Sequence, residues 1–393
     1  MGRLVLFIFV IIITLMLSGC YDSRSPERVA YAHGMAIDYK DEKYTIYLQL
    51  INFGAIAKSE ASSGGGQSES SQVIKIGSGK NITDAILKIF LSAQEEIYFG
   101  NLSFIILSDQ LLKEKGIEPV IDLWSRYPET RYKIYFYTGD NFLKEAMTIR
   151  PILEVSKSLN RLADPENIFQ QSSTIPIMTL REIIIGLNEP GHTIVIPNIF
   201  IQKDLKELKE ENRVAGGNGV TLYNSHKKML GTLIDEDIYG YRWMSKDFDR
   251  GILMLMKEDE VFGSVTINEK KVKVKPVIVN NKLQFNVQID AAGSLTEVNK
   301  DYLGEIRTEQ ALEEVTYMAE EQIKKEVMRT YRQALQLDAD IYRLSEVLYR
   351  KYLPDWKRYE ENGEIPLDEQ SINLDVKVRV QNAWKGGLKR SVK

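Results

Sequence analysis

The sequence has little cysteine and little histidine, and this excludes several ways of building or using a protein. Cys20 is its only cysteine, so no disulfide can form within the chain. The three histidines, His33, His192 and His226, stand far apart, and none has a second ligand at a spacing typical of metal sites, so we expect no bound metal. The fold must therefore depend on burial of the 44% of residues that are hydrophobic.

Long apolar runs and an excess of positive charge are also missing. After residue 17 no segment approaches 18 consecutive apolar residues, which predicts no membrane span beyond the amino terminus. The formal net charge is -4, with 51 Lys and Arg against 55 Asp and Glu, so nucleic acid is not an expected partner. The 393 residues are enough for two or three domains with cores of their own.

Common catalytic motifs are absent as well. There is no G-x-S-x-G elbow, and Gly79-Lys80 only resembles the end of a phosphate-binding loop, because Ile74 stands where the first glycine is required and Asn81 where Ser or Thr would bind magnesium. The acidic runs at 95–96 and 235–237 supply paired carboxylates, but such runs are more typical of solvated faces than of a general acid. We expect no enzyme, and an envelope hydrolase is the least favoured function.

The amino terminus is the most informative segment. Arg3 precedes an apolar run from residue 4 to residue 17 that only Thr14 interrupts, and Leu17-Ser18-Gly19-Cys20 follows. This layout is typical of a cleaved export signal, and the four-residue box resembles the bacterial lipoprotein signal, whose cysteine is lipidated before cleavage. We predict a lipoprotein signal at 1–20 with Cys20 as the lipid attachment point. An uncleaved transmembrane anchor is the alternative, but the 14 residues from 4 to 17 fall short of the roughly 20 that span a bilayer.

Periodicity along the chain predicts an α+β fold of about three domains, in which mixed and antiparallel sheets are packed by helices. We place an N-terminal α/β domain at 21–200, a small middle domain of a hairpin plus a helix at 201–258, and a C-terminal antiparallel sheet covered by long helices at 259–393. The first of these boundaries depends on the mixed-charge stretch 204–213, which glycines follow.

Individual elements follow from the same patterns. Alternation at 44–50 predicts a strand of a first hairpin, and the Ser/Gly-rich segment 59–72 predicts a loop. Further strands are predicted at 102–107 and 132–137, and helical structure at 151–159 after a proline. Thr83 is predicted to cap a helix whose buried face holds Ile86, Leu87, Ile89, Phe90 and Ala93.

Farther along, 220–223 and 229–234 predict a hairpin and 235–246 a helix. Alternation after residue 261 predicts an antiparallel meander, 312–335 a long helix with one apolar stripe, and 374–380 a last strand in the same sheet. Asp338 or Asp340 is expected to cap the helix after the long one. For the basic tail 384–393 a frayed solvated end is favoured over a contact with anionic lipid.

An ordered set of segments resembles the Ger(x)C family, the lipoprotein C subunits of spore germinant receptors. The segments are 19–24 (GCYDSR), 33–38 (HGMAID), 99–102 (FGNL), 219–233 (GVTLYNSHKKMLGTL), 338–341 (DADI) and 353–356 (LPDW). Tyr21 replaces the more usual Trp of the family, and Asn101 replaces a His that many members carry. The resemblance lies in the order of these segments along nearly the whole mature chain.

The resemblance implies a non-catalytic lipoprotein on the outer face of the spore inner membrane, which assembles with two integral membrane subunits, of A and B type, during the response to nutrients. It implies membrane lipid as a further partner. Its only covalent group would be a diacylglycerol, with an N-acyl chain such as palmitate as an optional addition, both on Cys20. A membrane-anchored extracytoplasmic lipoprotein that binds a small ligand is the alternative.

Overall fold

A computed structural model describes residues 2–3, 29–51, 72–140, 142–148, 161–203, 213–257, 260–299 and 309–382. Within them the strands are β1 (Val29–Lys40), β2 (Lys43–Ile51), β3 (Gln72–Gly79), β4 (Glu96–Tyr98), β5 (Phe104–Ser108), β6 (Tyr135–Gly139), β7 (Ile194–Lys203), β8 (Arg213–Tyr223), β9 (Met229–Ile234), β10 (Gly251–Lys257), β11 (Glu260–Val279), β12 (Lys282–Val298) and β13 (Ile372–Asn382). The helices are α1 (Ile82–Ser92), α2 (Asp109–Glu114), α3 (Glu118–Arg126), α4 (Leu143–Thr148), α5 (Glu166–Gln171), α6 (Leu180–Asn188), α7 (Tyr241–Met244), α8 (Glu309–Leu335), α9 (Leu344–Lys351) and α10 (Leu353–Tyr359).

Nine of the described strands form one mixed sheet, in the order β3-β2-β1-β5-β6-β7-β8-β9, with β4 alongside the start of β1. The centre is parallel, since β5 pairs in parallel with β1 and β6, and the two flanks are antiparallel. Every residue of β5 is buried, because helices cover both faces of a parallel centre. The α+β fold is therefore confirmed, with the predicted mixed sheet in its N-terminal part.

The predicted first hairpin is present as β1 and β2. Asp41 and Glu42 form its two-residue turn with φ angles of 51° and 58°, the left-handed conformation that two-residue hairpin turns require. The strand predicted at 44–50 is β2, and the strands predicted at 102–107 and 132–137 are β5 and β6 with shifted ends.

Helix α1 begins two residues earlier than we predicted, so the prediction of Thr83 as its cap is wrong. The side chain of Asn81 accepts a hydrogen bond from the Asp84 amide at 2.8 Å, because Asn81 is extended while Thr83 is already helical. Ile82 and Ala85 are buried beside the predicted Ile86 and Ile89. Leu87 and Phe90 are exposed, contrary to the prediction, because the rest of the protein covers only the opposite side of the helix.

The hairpin assigned to a middle domain is β8 and β9, and it extends the first sheet through ten paired residues between β7 and β8. The predicted boundary at 201 falls inside β7. A single hydrophobic core runs across this region, because Val195 and Leu222 pack with residues of the C-terminal sheet such as Leu253. The division into three domains stays a prediction.

The helix predicted at 235–246 is wrong in extent. A 3-10 turn covers Asp235–Asp237, and only α7 is α-helical. Gly240 lies between them so close to α8 that a Cβ there would stand 2.3 Å from the Glu326 carbonyl oxygen. Packing against α8 therefore interrupts what local sequence favours as one helix.

The C-terminal sheet has the order β10-β11-β12-β13, and its first three strands form the predicted antiparallel meander. The last strand joins it as predicted, but β13 runs parallel to β12, so the expectation of a wholly antiparallel sheet is corrected. The chain reaches β13 through α8, α9 and α10, a connection long enough to return in parallel.

Helix α8 is the predicted long helix, and it buries one stripe on this sheet: Val315, Ala319, Ile323, Val327, Tyr331 and Ala334. Of the two aspartates expected to cap the next helix, Asp340 accepts the amides of Leu344 and Ser345 at 3.0 and 2.7 Å. The predictions for 1–20 apart from residues 2–3, for 151–159, for 384–393 and for most of 59–72 lie outside the described residues.

Candidate functional site

One end of the first sheet follows residue 20 most closely along the chain, and strand pairing shows which strand ends share it. Cys20 itself lies outside the described residues, and β1 begins nine residues after it, at Val29. Tyr31 pairs with Ile51 and Ile51 with Gln72, so the start of β1, the end of β2 and the start of β3 share one end of the sheet. We call this the tether end. None of the described helices is both long enough and apolar enough to cross a bilayer.

A cleft of about 830 Å³ lies between the two sheets and is a candidate binding space. One wall comes from the first sheet and α5, a second from the edge strand β10, and a third from α8. Its apolar lining includes Ile168, Ile199, Ile252, Met254 and Met256. The last three alternate along β10 and are each about half exposed, between 45% and 47%. This lining favours an apolar or amphipathic occupant.

A buried ion pair borders the cleft. Arg242 of α7 lies 2.9 Å from the Oε2 atom of Glu326 of α8, and both residues are at least 93% buried. Trp243 donates its indole N–H to the same oxygen at 2.6 Å. Arg242 also donates to the hydroxyl of Thr174 and to the carbonyl of Ile252. One cation thus joins α7, α8, β10 and the segment before α6, which fixes the three walls relative to each other.

Sequence reasoning missed this pair, because its members are 84 residues apart. A signal was nevertheless present. Glu326 lies between Ile323 and Val327 on the buried face of α8, where a solvated glutamate is not expected. A charge on the buried face of an amphipathic helix predicts a buried counter-charge.

The three histidines do not come together. His33 lies in β1 with its ring edge against Phe104, and His226 is half exposed, 4.0 Å from Glu364. His192 is buried, with Nδ1 2.9 Å from Oε2 of Glu346. The described residues contain no group of three or more His, Cys, Asp or Glu side chains placed to hold a metal.

The His192–Glu346 contact belongs to a junction between the first sheet and α9. Arg350 lies 3.0 Å from Glu346 and 3.2 Å from Glu189, and Arg343 donates to the carbonyl of Thr193 at 3.1 Å. Burial by itself raises the pKa of the Glu346 carboxyl, but His192 and the two arginine charges outweigh it and hold that pKa at about 2. This cluster is a structural joint of charged groups.

The carboxylate runs and the glycine–lysine pair take structural roles. Glu236 and Asp237 both bind Arg329 of α8, while Glu95 and Glu96 are exposed at the tether end. The Lys80 amide donates to the Asp84 carboxylate at 3.0 Å, so Gly79-Lys80 forms the turn into α1. No arrangement of a nucleophile with a general base emerges from these groups.

Comparison with known proteins now assigns the chain to a family. The sequence model described as "Spore germination protein N-terminal domain" matches residues 22–201, and the one described as "Spore germination B3/ GerAC like, C-terminal" matches residues 218–383. The chain belongs to the Ger(x)C family of spore germination proteins.

Curated Ger(x)C relatives match along nearly their whole length. Spore germination protein KC of Bacillus subtilis (strain 168) is 22% identical over 387 residues, 93% of each chain, and spore germination protein B3 of the same organism is 22% identical over 380 residues, 94% of this chain and 95% of its own. The crystal structure of the GerBC protein superposes with a TM-score of 0.54 at 16% identity, over 91% of this chain and 99% of that one. The fold is therefore that of a Ger(x)C protein.

Proposed function

We propose that this chain is the lipid-anchored, non-catalytic C subunit of a nutrient germinant receptor and is needed for the response of spores to nutrients. In this proposal Cys20 carries a diacylglycerol, and the chain sits on the outer face of the spore inner membrane. Two integral membrane subunits, of A and B type, are its partners. Apart from the lipid on Cys20, the proposal includes no cofactor.

The observation that carries the proposal is where the family match begins. The two family sequence models together extend from residue 22 to residue 383, and the first starts two residues after Cys20. The part of the chain before the match holds the apolar run and the Leu17-Ser18-Gly19-Cys20 box, which supports an export signal and a lipid on Cys20. A double acyl anchor is stable where a single chain is marginal, and a tether raises the effective concentration for weak docking onto membrane partners.

Replacing Cys20 tests the proposal. We expect Cys20→Ala to leave the fold intact, to shift the protein out of the spore membrane fraction and to slow nutrient germination. Ser23→Ala, three residues farther along, is the matched control and should behave as the wild type. A normal nutrient response and normal membrane fractionation of Cys20→Ala spores would contradict the proposal, and so would mass spectrometry that finds the Cys20 sulfur bare.

The alternative function, a lipoprotein that binds a small ligand, is favoured by one observation, the cleft between the two sheets. Calorimetry on the detergent-solubilised full-length protein with nutrient amino acids and sugars discriminates between the two. Saturable binding that Met254→Asp abolishes would support the ligand-binding function. Absence of heat with every nutrient would favour the C-subunit function alone.

A further inference from the structure

Helix α1 has a wider apolar arc than the core of the protein covers. Its inner face buries Ile82, Ala85, Ile86 and Ile89. Three large apolar residues remain outside: Leu87 is 51% exposed, Phe90 39% and Leu91 79%. At 3.6 residues per turn these three lie within about 100° of each other, so they form one stripe. We call it the outer face of α1.

The neighbouring strand carries one more exposed apolar residue on the side where α1 ends. Lys75 of β3 donates to the Ser92 carbonyl at 3.0 Å, which places this face of β3 beside the C-terminal end of α1. Val73 stands two residues before Lys75, hence on the same face of the strand, and it is 48% exposed. Exposed leucines scattered singly need no explanation, whereas a contiguous apolar patch indicates an interaction site.

The position of the stripe relative to the anchor identifies its occupant. Helix α1 ends at Ser92, and Glu96, four residues later, pairs directly with Val29 at the tether end. Fully extended, the nine residues from Cys20 to Val29 reach about 30 Å at most. The C-terminal end of α1, which carries Phe90 and Leu91, is the end directed toward the tether end. A tether of this length therefore allows it to reach the bilayer surface.

We propose that the outer face of α1 inserts into the interfacial region of the bilayer that carries the lipid of Cys20. This inference rests on the proposed anchor. A lipid attached at one point does not by itself fix the orientation of the body, while a second contact with the bilayer fixes which way the cleft and the C-terminal sheet face. The contact is apolar in nature, because no attraction between opposite charges accounts for it. Lys88 is already paired with Asp84 at 3.3 Å, and the exposed side chains nearby include the acidic Glu95 and Glu96. A convex Leu/Phe stripe suits a fluid apolar phase.

The composition of the chain makes the experiment direct. Cys20 is the only cysteine and is lipidated in the proposed function, so Leu91→Cys supplies a single free thiol for an environment-sensitive fluorophore. The labelled full-length lipoprotein is reconstituted into phosphatidylcholine vesicles with or without lipids brominated on their acyl chains. Tyr317→Cys on α8 is the matched control, because Tyr317 is 63% exposed.

We expect acyl-chain bromines to quench the label at position 91 at least about two-fold more than the label at position 317, since only inserted groups contact the acyl region. Leu87→Ser in the same labelled protein should reduce that quenching. Leu87 is 51% exposed and Leu91 79%, so these two substitutions should leave the urea midpoint of the protein at the wild-type value.

The outcomes separate this inference from the proposed function. Protein that floats with the vesicles but shows equal quenching at the two positions overturns the inference and leaves the anchor intact. If the protein does not float with the vesicles, both the proposed anchor and this inference are refuted. Quenching absent from pure lipid, with a spectral shift at position 91 only when the two membrane subunits are added, assigns the stripe to a protein partner and also overturns the inference.

Discussion

Removing the charge of Glu326 tests whether the buried ion pair holds the two halves of the molecule together. In Glu326→Gln the Arg242 guanidinium keeps the Thr174 hydroxyl and the Ile252 carbonyl as acceptors but loses its counter-charge. The Trp243 indole keeps an amide oxygen as acceptor in place of a carboxylate. The substitution therefore leaves a buried cation without an anion, at nearly unchanged side-chain volume.

The size of the effect follows from these contacts. Breaking a buried ion pair by removing one partner costs about 3–5 kcal/mol, chiefly because the remaining charge stays desolvated. A hydrogen bond to a charged group is worth about 1.5–3 kcal/mol against about 1 for a neutral one, so the weakened indole bond adds to the loss. The retained acceptors of Arg242 offset part of it. We expect the free energy of unfolding to fall by about 3 kcal/mol.

The assay is urea unfolding of the full-length protein, followed by tryptophan fluorescence, to which the buried Trp243 contributes. Glu321→Gln is the matched control on the same helix. Its carboxylate makes an exposed contact with Lys324, so a change of no more than about 0.5 kcal/mol is expected. A Glu326→Gln variant within 1 kcal/mol of the control, a threshold about a third of the expected loss, would refute the reasoning that the pair fixes the cleft walls.

Two further predictions concern Glu346 and Asn81. The pKa of Glu346 is lowered from 4.5 to about 2, so the stabilising contribution of its charge is complete above pH 4.5 and is lost as the pH falls towards 2. The difference in urea midpoint between the wild type and Glu346→Gln should therefore shrink from pH 6 to pH 2.5, and a constant difference would show that the carboxylate is not paired. Asn81→Ala should cost about 1 kcal/mol through loss of the α1 cap. Thr83→Ala should cost less in the same assay, and the reverse order would restore Thr83 as the cap.

The membrane contact and the cleft together define a geometry for the proposed complex. Helix α1 begins beside the end of the first sheet opposite the tether end and runs toward the tether end, with Phe90 and Leu91 in its last turn. The cleft lies between that sheet and the C-terminal one. If both proposals hold, integral subunits meet a body whose orientation is fixed by two points. Variants of Leu91 would then slow germination without lowering the amount of protein in the membrane.

Local sequence determined most of the elements of this protein. Several elements depend only on residues close in the chain: the alternation in β2 and in the meander, the apolar stripe of α8, and the turn at Asp41 and Glu42. The sequence alone is therefore enough to predict them. The lipid attachment at Cys20 is likewise a prediction from local sequence alone. The order of the family segments also predicted the family, and the two family sequence models confirm it.

Only the tertiary structure decided how these elements combine. The parallel return of β13, the joining of β8 to β7 and the pairing of Arg242 with Glu326 depend on groups many tens of residues apart. The same holds for the exposure of Leu87 and Phe90, which local periodicity assigned to the core, and for the interruption at Gly240, where α8 packs too closely for a side chain. Periodicity reports which residues are apolar on one helix or strand, and the neighbour that covers them is fixed by long-range packing.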